Sequence, residues 1–116
     1  MKTMRIAEEL TPTCMTFEAG DTLLSSIRTE LGQGQPVELD FSGVRLVASP
    51  FFNAAIAPLF ANMSEAEFRR SIIFTGLSPT ASRVLDRVVA NAQSFYADPA
   101  FQESLDRVLF EEAGVE

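Results

Sequence analysis

The stretch that decides the fold is Val37-Glu38-Leu39-Asp40-Phe41-Ser42-Gly43-Val44-Arg45-Leu46-Val47-Ala48-Ser49-Pro50. Over residues 37–41 apolar and polar side chains alternate, the period of a strand with one buried face. Ser42-Gly43 is a turn pair, after which Val44, Leu46 and Val47 continue in extended form. Ser49-Pro50 then opens a helix. A serine hydroxyl can accept from a free backbone N–H there, and proline at the first helical position loses no helix bond. That helix carries Phe51, Phe52, Ile56, Leu59, Phe60 and Met63. Pro58 lies inside it and lacks the N–H that would bond back to Ala54, which predicts a kink or a break into two pieces.

Upstream, residues 3–7 read as a first strand and residues 13–17 as a second, edge element. Gly20-Asp21 breaks the chain, and Asp21 is placed to cap a helix. In that helix Leu23, Leu24, Ile27 and Leu31 recur at helical spacing, and Gly32 and Gly34 end it. Downstream, Ile72-Ile73-Phe74-Thr75 is a short apolar strand suited to the middle of a sheet. Ser78-Pro79 opens a third helix with Val84, Leu85, Val88 and Val89 on one face. Asp98-Pro99 opens a fourth with Phe101, Leu105, Val108 and Leu109, and Gly114 stands near its end. The alternation of strands and helices predicts an α/β fold: a small mixed sheet of four to five strands with about four helices packed against it. No repeat or long linker divides the chain, so residues 1–116 read as a single domain.

The segment Leu39-Asp40-Phe41-Ser42-Gly43-Val44, followed by Arg45-Leu46-Val47-Ala48-Ser49, resembles the central segment of STAS domains, named for sulfate transporters and anti-sigma factor antagonists. The continuation Pro50-Phe51-Phe52-Asn53-Ala54-Ala55-Ile56 is more similar still to a bacterial family of STAS-like domains of unknown function. The resemblance is sharp over residues 37–60 and extends loosely through the strand at 72–75 and the helix from Ser78. It implies a four- or five-stranded sheet with helices on one face. It also implies function at the start of the helix after the central strand. In anti-sigma factor antagonists a partner kinase phosphorylates a serine at that place, and the phosphate disrupts docking by charge and bulk. The parent pattern there is Asp-Ser-Ser-Gly, and in register this chain has Ala48-Ser49-Pro50-Phe51. Proline stands where the modified serine would be, so the resemblance implies that the phosphorylation switch is absent.

Composition narrows the classes of function. The chain has 116 residues, of which 47% are hydrophobic, enough for a packed core without metal or disulfide. Nine basic against sixteen acidic residues give a net charge of −7, which repels phosphate backbones and anionic lipid. Nucleic acid and membrane surfaces are therefore not expected partners. The apolar run over residues 51–60 is about half the length of a membrane span. No secretory signal is visible, and the single Cys14 suits a reducing, cytoplasmic setting as a small, half-buried apolar side chain. Histidine is absent, which removes histidine-based triads, bases and metal ligands. One cysteine cannot build a thiolate zinc site. Gly32-Gln33-Gly34 is too short for a dinucleotide fingerprint. No cofactor and no catalytic residue are expected, and an enzyme is the class least favoured.

The reading that remains is a regulatory protein-interaction module whose candidate partner-binding residues are Asp40, Ser42, Ser49, Phe52 and Asn53. Asp40 and Ser49 each also have a structural role open to them, as a turn cap and a helix cap. Of Phe51 and Phe52, whose positions differ by about 100° around a helix, one is expected inside and the other half exposed, where it could anchor a partner. Two alternatives stand beside this one. A small-ligand or nucleotide sensor would use free N–H groups near Pro50 and predicts a closed cavity beside Ser49 and Thr75. A structural homodimer would use the apolar surface of the C-terminal helix.

Overall fold

The computed structural model describes residues 1–97. The chain runs through β1 (Lys2–Arg5), α1 (Ile6–Glu9), β2 (Thr13–Cys14), α2 (Phe17–Gly32), β3 (Val37–Asp40) and β4 (Leu46–Val47). It continues with α3 (Ser49–Ala55), a 3-10 turn (Ala57–Ala61), α4 (Glu65–Ser71), β5 (Ile72–Thr75) and α5 (Pro79–Ala97). The helix expected from Asp98-Pro99, and with it the dimer surface it would carry, lies outside the described residues.

The strands form two sets, a sheet of order β1-β3-β5 and a ribbon of β2 with β4. β3 is the inner strand: Val37 is level with Lys2 and Ile72, and Asp40 with Arg5 and Thr75. All the pairings are parallel, not mixed. The reason is connectivity, since α2 returns the chain from β1 to β3 and α3 and α4 return it from β3 to β5. The five strands are also divided three and two, where one sheet was expected. β5 lies at an edge of its sheet and not in the middle; its apolar side chains face α4 and α5 instead of a further strand.

Val37 and Leu39 point into the core and are fully buried, while Glu38 and Asp40 alternate onto the other face and are half-buried. From α2, Leu23, Leu24 and Ile27 pack onto the same core. α2 starts earlier than the sequence pattern suggests. Thr16 is its N-cap, with Oγ1 accepting from the Ala19 N–H at 3.1 Å. Asp21 is therefore an exposed residue within the helix and caps nothing. Gly20 is interior to the helix and buried: a Cβ there would collide with the Phe51 carbonyl and the Ala54 side chain of α3. The missing side chain lets α2 and α3 approach closely. At the other end, Gly34 adopts a φ of +78°, the left-handed conformation that closes a helix.

The break predicted at Pro58 is present. α3 stops at Ala55, and the 3-10 turn takes over at Ala57 with proline in its first turn. α4 was not anticipated, although Ser64 caps its start and acidic residues Glu65 and Glu67 stand in its first turn. Ser64 Oγ accepts from the Glu67 N–H at 3.2 Å and donates to Glu67 Oε1 at 3.4 Å.

Candidate functional site

At the carboxyl end of β3, Asp40 Oδ1 accepts from the Ser42 N–H at 2.9 Å, the turn-capping geometry open to an aspartate before Ser-Gly. That backbone bond, followed by one from the Ser42 hydroxyl and by the charge of Arg5, holds the Asp40 carboxyl below its ordinary range. Gly43 takes a φ of +84° to complete the turn. The Phe41 N–H bonds the Thr75 carbonyl at 2.8 Å, so this turn and the β5–α5 turn sit together. Gly76, at φ +73°, lies so close to Ser42 that no side chain fits between them. One strand turn inward, Glu38 joins the whole sheet. It accepts from Thr3 Oγ1 of β1 at 3.1 Å and from Thr75 Oγ1 of β5 at 2.9 Å. This link was not anticipated; the only signal was a polar residue on the outer face of an inner strand.

The start of α3 differs from expectation in two respects. Ala48, not Ser49, is the N-cap, and it supplies no side-chain bond. Ser49 is already helical, exposed, and free of a capping role; Pro50 follows it, also exposed. The anchoring that a cap would give comes from the backbone, with the Ala48 N–H on the Cys14 carbonyl at 2.9 Å and the Arg45 N–H on the Pro12 carbonyl at 2.8 Å. The second difference is Phe52, which is 0% exposed, as is Phe51. Phe52 therefore cannot anchor a partner. α3 is packed against both α2 and α5, so two adjacent helix positions can both point inward. Phe51 and Phe52 join Phe41 and Phe74 in one aromatic cluster, with Phe41 to Phe52 centroids 5.8 Å apart.

Of the five candidate residues, Asp40 and Ser42 are joined by hydrogen bonds, and Ser49 and Asn53 share the exposed face of α3 with Pro50. The surface they leave is extended by apolar side chains that the sequence pattern did not single out. Leu46 is 58% exposed, Met15 45% and Phe17 59%. Leu46 is level with Thr13, while Cys14 and Val47 turn inward. Met15 follows Cys14 and is exposed; continuing the register sets it level with Ala48, on the side of the ribbon that carries Thr13 and Leu46. Phe17 opens α2 two residues further on. Alternation along residues 13–17 and 44–48 carried this signal, since it places large apolar residues on the side away from the core.

The cleft between the β3–β4 loop and the β5–α5 turn, lined by Phe41, Val44, Arg45, Gly76 and Ser78, holds about 20 Å³. That is room for about one water. The N–H groups at the α3 start are few: Pro50 has none, and that of Phe51 donates to the Ala48 carbonyl at 3.1 Å. Cys14 is buried beneath the ribbon, and its burial pushes the thiol up to about 11. Among the described residues, no group of three His, Cys, Asp or Glu side chains is placed to hold a metal ion, and no helix is long and apolar enough to cross a membrane.

A parallel α/β sheet whose central strand delivers the chain through a Ser-Gly turn to a helix at its carboxyl edge defines the STAS-like class. The chain belongs to the family described as STAS-like domain of unknown function (DUF4325), whose model matches residues 19–82, from α2 to the first turn of α5. No curated protein and no solved structure matches the chain.

Proposed function

We propose that this chain is a non-catalytic module that binds a protein partner, as anti-sigma factor antagonist domains do, through the surface formed by the β2–β4 ribbon and the start of α3. The observation that carries this reading is the exposure of Leu46, Met15 and Phe17, on the ribbon and at the opening of α2, together with that of Ser49, Pro50 and Asn53 on α3. Large apolar side chains gathered on one surface mark docking sites in soluble proteins, and aromatic anchors contribute most of the energy of such contacts. The helix start is the place where the parent family docks. Pro50 has no hydroxyl to phosphorylate and Ser49 is the neighbouring one, so binding here is constitutive with respect to the parent family's modification. Affinity is then set by apolar complementarity, with Asn53 and Ser49 supplying polar contacts at its rim.

The test is a photo-crosslinking amino acid placed at Asn53, at Leu46 and, as a control, at the exposed Thr29 on α2. Adducts to a common protein from positions 53 and 46, and none from 29, are expected in extracts of the source organism. Adducts that are absent at 53 and 46, or the same at all three positions, would contradict the reading.

A further inference from the structure

Five side chains of the sequence carry sulfur: Cys14, Met1, Met4, Met15 and Met63. A thiol ordinarily meets an oxidant first, but it reacts as the thiolate. Cys14 is fully buried beneath the ribbon, and burial pushes its thiol up to about 11, so at neutral pH almost none of it is charged. Met4 lies in the core, and Met63 is packed against it. Two thioethers remain well exposed. Met1 precedes β1, at the amino edge of the sheet, where Lys2 is level with Val37. Met15 lies beyond the carboxyl end of β3, because β2 pairs with the β4 that follows β3. It stands directly after β2, on the side of the ribbon that carries Leu46. An inert sulfur and an accessible one are thus adjacent in the chain, and the accessible one belongs to the docking surface.

We propose that Met15 is an oxidation site, and that its conversion to the sulfoxide by a hydroperoxide closes the ribbon–α3 surface to its partner. The proposal rests on the docking reading above and adds its regulation. With hydrogen peroxide, the thioether sulfur attacks one peroxide oxygen, and an S–O bond forms as the O–O bond breaks. The hydroxide released takes up the proton left on the new sulfoxide oxygen, giving water. Sulfur loses two electrons and the peroxide gains them. The product replaces a flexible apolar side chain with a polar one that accepts hydrogen bonds. Met15 shares its side of the ribbon with Leu46 and stands two residues before Phe17. Docking on those apolar anchors would strip water from the sulfoxide and offer it no donor in exchange, which disfavours the complex. The free chain keeps its fold, because Met15 is exposed and its sulfoxide stays hydrated. Sulfoxide reductases reverse the change. Pro50 denies α3 the hydroxyl of the parent pattern; Met15 gives the same surface a covalent control of another kind.

The test treats the full-length protein, with the photo-crosslinking amino acid at Asn53, with hydrogen peroxide. The peroxide is removed with catalase, and the protein is irradiated in desalted extract of the source organism. Peptide mass spectrometry should find an added oxygen on Met15 and Met1, little on Met4, and Cys14 still alkylated as a free thiol once the chain is unfolded. Far-UV dichroism should not change. Adduct yield should fall about tenfold, as for the loss of an interface anchor. Reductases for both sulfoxide epimers should restore it. Met15→Leu, in which Met1 is still oxidised, should give the same yield treated as untreated. Three results would each overturn the proposal: Met15 oxidised no faster than Met4 or Cys14, a yield that survives full oxidation of Met15, or a loss that persists in Met15→Leu. Absence of adducts from the untreated protein would instead refute the docking reading, and this proposal with it.

Discussion

Gly20 of α2 lies directly against the carbonyl of Phe51 in α3, at a spacing that admits no Cβ. This contact brings α2 down onto the helix that follows the central strand and seats Phe51 and Phe52 in the core. Gly20→Ala should therefore destabilise the fold by about 1–3 kcal/mol from overpacking, outweighing the roughly 1 kcal/mol that alanine gains over glycine in a helix interior. Gly32, at the end of the same helix, has nothing within 4 Å of its would-be Cβ. Gly32→Ala should be neutral or stabilise by up to about 1 kcal/mol. Urea unfolding of the two variants separates a packing glycine from a merely local one.

The two Ser-Pro helix starts behave differently. Ser78 Oγ accepts from the Ala81 N–H at 3.1 Å, whereas Ser49 caps nothing. Ser78→Ala should cost about 1 kcal/mol of stability. Ser49→Ala should leave the unfolding midpoint unchanged. Equal losses at both positions would show that Ser49 has a structural bond in solution.

Cys14 ties burial to alkaline pH. Its folded pKa, about 11, stands above the ordinary 9.0 because charge is disfavoured beneath the ribbon. Raising an acid's folded pKa means that the unfolded chain loses its proton first. The contribution to stability is thus complete below about pH 9 and is lost as the pH rises toward 11. Compared with Cys14→Ala, the wild type should lose on the order of 2 kcal/mol more between those limits. Its native thiol should also react with disulfide reagents far more slowly at pH 8 than the thiol of the denatured chain. Parallel stability curves for the two proteins would contradict this account.

Much of the architecture was legible where one local rule decided the outcome. Alternation at Val37–Asp40 gave the strand and its buried face, and Pro58 gave the break after α3. The Ser78-Pro79 pair gave the start of α5, and Asp40 gave the turn cap. What escaped depended on contacts between elements. Gly20 has the propensity of a helix breaker, yet it sits inside a helix because α3 needs the space. Ser49 has the chemistry of a cap, yet backbone bonds from Arg45 and Ala48 to the β2 segment fix the helix one residue earlier. Both phenylalanines are buried because α3 is enclosed on two sides, which no helical wheel drawn from one segment reveals. The start of α4 was missed although its signal is local, a serine cap at Ser64 followed by Glu65 and Glu67 in the first turn. The exposed Leu46 and Met15 lay on the side of the alternation pattern that faces away from the core.

The ribbon–α3 surface is the central claim, and its most direct test is the dissociation constant for a crosslinked partner, measured with the wild type and with Leu46→Asp and Phe17→Asp. Both residues are exposed, so the melting temperature should hold while binding weakens at least about tenfold, the effect of losing an interface anchor worth more than about 1.4 kcal/mol. A dissociation constant unchanged in both variants, with the partner still bound, would place the docking surface elsewhere on the molecule.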